Sequence, residues 1–124
     1  MVAPLTTDAL LALEQAIGPP RVGSNIGNWR FSVRQRLSSV REALIVEETG
    51  TSDAWLTARN GAALRERGTL LSRLAALAAE VLERPDLEGL RGELRRLVGD
   101  LRRHLQHLND LAYDEVELEL GGGD

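Results

Sequence analysis

The chain has 124 residues, of which 43% are apolar and 27% charged, with no cysteine and a formal charge of −4. This allows one globular unit and excludes a wholly disordered, collagen-like or disulfide-stapled chain. Thiol chemistry, cysteine-type zinc and iron–sulfur sites are ruled out, and because all 15 basic residues are arginine there is no lysine for a Schiff base or a P-loop.

Leu5 to Ile17 is a short apolar stretch with Thr6, Thr7 and Asp8 as caps, closed by Gly18-Pro19-Pro20, which no helix continues through. Together with the loop Arg21 to Gly27 it forms an N-terminal section, residues 1–27. Asn28 is placed to cap the next helix, whose Trp29, Val33, Leu37, Val40 and Leu44 recur at steps of one helical face and which should stop near Thr49-Gly50. Ser52 or Asp53 can cap a third helix, with Leu56, Ala63, Leu70, Leu74, Leu77 and Val81 on one side and Arg84-Pro85 at its end. Asn60-Gly61 and Gly68 weaken its first half, and a kink or short break is expected around residues 60–62.

The last helix has the strongest pattern. Asp86 caps it, and Leu87, Leu90, Leu94, Leu97, Leu101, Leu108 and Leu111 keep three-four spacing, with His104 filling the one seam position that is not leucine. Val116-Glu117-Leu118-Glu119-Leu120 alternates like a strand; with no partner strand it is read as a fraying helix end or extended tail, giving residues 117–124 as an acidic, glycine-ending tail. The expected fold is all-α: a single-domain antiparallel up-and-down bundle of three long helices and a short N-terminal one.

No stretch reaches the roughly 18 uninterrupted apolar residues of a membrane span, and Met1-Val2-Ala3-Pro4 lacks the basic start of a signal peptide, so a soluble, cytoplasmic chain is expected. Residues 110–124 carry six acids and no arginine, leaving a formal +2 on residues 1–109. Arginines 30, 34, 36 and 41, and 91, 95, 96, 102 and 103, could mark a nucleic-acid footprint. With a net negative chain and no interleaved aromatics, a solvated face paired with Glu42, Glu48, Glu88 and Glu93 is the better reading, and the expected partner is a protein or a second copy. Trp29 and Trp55 read as plugs at helix starts, and Phe31 as an off-seam residue that meets the N-terminal helix or a partner.

His104 and His107 are the two histidines of the chain. On an ideal helix His104 lies about 50° from the leucine seam and His107 about 110° from it, so one faces inward and the other sits near the boundary. Asp100, His104, His107 and Asp114 form a stripe, but donors on one helix cannot close around an ion, and a site needs help from a facing helix. Glu47, five turns after Trp29, is the candidate. His104, His107 and Glu47 are therefore the candidate metal ligands, for iron or zinc, joined by Asp110 on the resemblance given below, and set against the simpler reading of an inward histidine hydrogen-bonded to a neighbour with no cofactor bound.

Several segments resemble a family. Trp29-Arg30, Val33-Arg34, Leu37, Val40-Arg41 and Ala43-Leu44, then Thr49-Gly50 and Trp55-Leu56, look like the opening of actinobacterial hemerythrin-like (HHE-type) helical proteins. Arg103-His104 with Gln106, Asp110-Leu111 with Tyr113-Asp114, and Leu120-Gly121-Gly122 are similar to that group's closing pattern. The resemblance covers about residues 28–122. It implies a four-helix-bundle relative of di-iron carriers and sensors, in which histidines and carboxylates from all helices surround the metals. The departures fall on those ligands: Val46-Glu47-Glu48 and Leu74-Ala75-Ala76-Leu77 stand where the family carries histidines, and His104 and Asp110 alone match ligand positions. The implied protein is a degenerate, non-catalytic member without a di-iron centre, an interaction or regulatory module. The alternative is a mononuclear metal or small-ligand binder.

Overall fold

The computed structural model describes the backbone of residues 4–20, 25–49 and 53–122 and the side chains of residues 5–20, 25–46 and 61–110. Four helices run in order: α1, Pro4–Ala16; α2, Ile26–Thr49; α3, Asp53–Val81; and α4, Leu87–Gly122. No strand occurs among the described residues.

Each helix buries one apolar stripe; Leu87 and Leu108 of the expected α4 seam are only partly buried, and the side chains of Leu56 and Leu111 lie outside the described residues. Leu10, Leu13 and Ile17 follow α1; Val33, Leu37, Val40 and Leu44 line α2; Leu70, Leu74, Leu77 and Val81 line α3; and Leu90, Leu94, Leu97, Val98, Leu101 and Leu105 line α4. These side chains form one cluster drawn from all four helices. Leucine and valine thus supply the buried apolar area, at about 25 cal/mol per Å² removed from water. Every helix packs on its chain neighbour, and α1 also touches α4.

The helix starts separate what spacing alone could and could not locate. Asp86 caps α4 as expected: its Oδ1 accepts from Gly89 N at 3.0 Å and its carbonyl from Leu90 N at 3.0 Å. A Cβ on residue 89 would collide with the Asp86 carboxylate, so the glycine makes room for the cap. The cap of α2 is Asn25 and not Asn28. Asn25 Oδ1 accepts from Gly27 N at 2.7 Å, and its carbonyl accepts from Asn28 and Trp29 N at 3.1 and 3.2 Å. Gly27, read from sequence as the end of a loop, lies inside the first turn, where a Cβ would stand only 3.0 Å from the capping oxygen.

Of the expectations about continuity, a break in α3 and an extended tail are corrected. Helix α3 runs unbroken through Asn60-Gly61 and Gly68. Each glycine costs about 1 kcal/mol relative to alanine, less than the burial of Leu70 and Leu74 beyond them contributes. Residues 117–122, expected as a fraying helix end or an extended tail, continue α4 to Gly122, which overturns the extended tail. Glutamate and leucine are good helix formers, and an alternating pattern without a neighbouring strand has no sheet to join.

Polar contacts tie the helix ends. Trp29, half-buried against the core, donates from Nε1 to Gly18 O at 2.8 Å, bearing out its reading as a plug; the Trp55 side chain lies outside the described residues. Arg30 Nη1 donates to Val81 O at 2.8 Å, and Arg91 Nε donates to Ile17 O at 3.0 Å. These donors serve carbonyls at the ends of α3 and α1 that no further helical turn satisfies. Among the described residues no helix is long and apolar enough to cross a membrane.

Candidate functional site

Three polar or charged residues are buried among the described ones: Thr6, Arg91 and His104. Arg91 is committed to Ile17 O and, through Nη1, to Glu88 Oε1 at 3.1 Å. His104 therefore marks the place where chemistry, if any, would sit.

Its imidazole is fully enclosed, with 0% of the side chain exposed, as the seam spacing predicts. Nδ1 lies 2.5 Å from Oε1 of Glu66 on α3, whose side chain is 44% exposed. One hydrogen-bonded proton lies between the imidazole nitrogen and the carboxylate oxygen. His107, one turn along α4 and 35% exposed, points Nδ1 at the same oxygen from 3.9 Å. One glutamate oxygen thus serves a buried imidazole closely and a boundary imidazole loosely.

Next to this group the α3–α4 seam is lined with paired charges. Arg73 Nη1 lies 2.7 Å from Asp100 Oδ2, and Arg103 reaches the other oxygen of Asp100. These two guanidinium groups, Arg73 first, hold the Asp100 carboxyl below the usual carboxylate range. Further along, Arg84 Nη1 meets Glu93 Oε2 at 2.5 Å, and that hydrogen bond raises the Arg84 guanidinium further. Glu66 and Arg73 on α3, and Arg84 in the connection that follows it, find His104, Asp100 and Glu93 on α4, one number rising as the other falls. An open groove of about 430 Å³ lies beside them, lined by Glu66, Thr69, Leu70, Arg73, Asp100 and Arg103. Its charges are already matched across the two helices.

Beyond the two histidines, the expected ligands are placed only in part. Asp110 is exposed, and its Oδ1 accepts from Gln106 Nε2 at 2.9 Å on its own helix. The side chains of Glu47 and Asp114 lie outside the described residues. Among the described residues no three histidine, aspartate or glutamate side chains are grouped so as to hold a metal ion. The partner that sequence reasoning missed is Glu66. It sits four residues before the buried Leu70, beside the α3 stripe, where its carboxylate can accept from an imidazole on the facing helix.

The arginine-rich faces divide. Arg84, Arg91 and Arg102 pair with Glu93, Glu88 and Glu14, while Arg34, Arg36, Arg41, Arg95 and Arg96 have no ion-pair partner among the described residues. Phe31 is 55% exposed. Comparison with protein-family models, curated proteins and solved structures gives no match.

Proposed function

We propose that this chain is a non-catalytic helical-bundle module, with its helices antiparallel in up-and-down order, that acts by presenting its surface to a protein partner in the cytoplasm. The observation that carries this reading is the pairing of His104 with Glu66: the enclosed imidazole has its Nδ1 committed to a facing carboxylate, beside a core cluster of aliphatic side chains. The falling and rising numbers of the Glu66–His104 and Arg73–Asp100 contacts between α3 and α4 support the antiparallel order. The hemerythrin-like resemblance fits the same reading, since two histidines in the whole chain do not match the donor set of a di-iron centre. The cysteine-free composition fits a reducing compartment.

A second reading, a mononuclear metal or small-ligand binder, draws on the convergence of His104 and His107 upon Glu66 Oε1. The two separate on one experiment. Purified chain is expected to carry iron and zinc far below one per molecule, and His104→Ala is expected to lower the melting temperature without altering metal content. Stoichiometric metal that His104→Ala abolishes would replace the first reading by the second.

A further inference from the structure

The module reading leaves the partner unnamed, and α4 carries a pattern that names one. Opposite its buried leucines, Arg95, Gly99, Arg102 and Gln106 follow one another at three- and four-residue steps. Arg95, Arg102 and Gln106 are exposed, and a Cβ built on Gly99 meets nothing within 4 Å. A groove of about 490 Å³ opens beside Gly99 toward α1, with Val98 and Ile17 among the residues lining it. The same steps continue along α4 to Asp110, Tyr113, Glu117 and Leu120.

Turned end over end about Gln106, this stripe matches itself. Arg102 comes level with Asp110, Gly99 with Tyr113, Arg95 with Glu117, and Gly92 with Leu120. In register along the helix, arginine falls level with acid and glycine with a bulky residue at every step, the self-complementarity that a two-fold interface between identical surfaces needs. The glycines let two helices approach closely.

We propose that a second copy of this chain docks on this face, α4 against inverted α4, with Gln106 at the two-fold axis. The proposal rests on the module reading and gives it a partner. The overlap from Gly92 to Leu120 spans about 42 Å at 1.5 Å per residue. Arg95 has no ion-pair partner among the described residues, so its charge is available to Glu117 of the second copy. Arg102 is bound to Glu14, and Asp110 accepts from Gln106, but five N–H donors and two carboxylate oxygens leave each with capacity for another partner. A polyanion is the poorer occupant, because the six acids of residues 110–124 continue the same helix and repel it.

Sedimentation of the full chain over a micromolar concentration range tests this. The wild type is expected to form a dimer at moderate salt. Arg95→Glu and Glu117→Arg should each weaken it about tenfold or more, and the double variant should regain it, because the swap rebuilds both pairs with signs exchanged. Gly99→Leu, at a position with open space around it within the monomer, should weaken the dimer while helicity by circular dichroism is unchanged. A monomeric wild type, a dimer indifferent to Arg95→Glu and Gly99→Leu, or a double variant no better than the singles would overturn the proposal. So would a monomer that binds single-stranded DNA in a salt-sensitive way. A monomer free of metal sinks the dimer alone, whereas stoichiometric retained metal sinks the module reading whatever the association state.

Discussion

Helix α4 takes two polar groups into the core, and they solve opposite problems. At Arg91 the buried group is the donor, and what it serves is a main-chain carbonyl, that of Ile17, in a residue that is itself only 3% exposed. At His104, about 20 Å along the helix, the buried group is an imidazole whose partner, Glu66, is 44% exposed and can be hydrated if the histidine goes. A buried acceptor left without a donor loses its solvation outright; a carboxylate near the surface recovers it from water. Arg91 is therefore the harder of the two to replace, although its charge makes it look like a surface residue.

The contrast breaks most readily at Arg91. Arg91→Leu keeps apolar contact but strands the Ile17 carbonyl, and is expected to cost about 2 kcal/mol in urea denaturation, or roughly 5–10 °C in melting temperature. A loss too small to measure would mean that water reaches that carbonyl. His104→Leu is expected to lie within about 1 kcal/mol of wild type, because the site is enclosed by aliphatic neighbours and Glu66 can turn to solvent. A loss as large as that of Arg91→Leu would place the pair among the main supports of the fold and erase the distinction.

The smallest effect concerns the neighbouring ion pair and appears only in acid. Arg73 and Arg103 depress the Asp100 carboxyl in the folded chain, so the stability it contributes is complete above the ordinary carboxylate range and is lost as pH falls through the depressed value. Asp100→Asn removes the titrating group, and is expected to flatten the decline of unfolding free energy below about pH 4. An unchanged acid limb would show that the two arginines are as well placed on Asp100 in the unfolded chain.

How much of this is legible in the sequence follows from what periodicity measures. Leucine spacing describes one helix at a time, so it locates all four helices, the enclosed His104 and the boundary His107, and Asp86 announces the start of α4 through its place before Leu87. Register between helices is invisible to it. Glu66 on α3 faces His104 only because of how the two helices slide against each other, and the same holds for Arg73 with Asp100. Face geometry alone points instead to a donor on α2, Glu47. Asn28 looks like the better cap than Asn25 as long as Gly27 counts as a helix breaker, although its missing side chain is what gives the capping oxygen room. Arg91 passes for one of the solvated arginines when residue type is weighed above its place at the flank of the seam.

The claim beneath all of this is that aliphatic packing holds the interior without help from a metal. Thermal unfolding of the chain before and after exhaustive treatment with a strong chelator tests it most directly. Coincident melting curves are predicted. A midpoint that falls by about 10 °C on chelation and returns on adding iron or zinc would contradict the account.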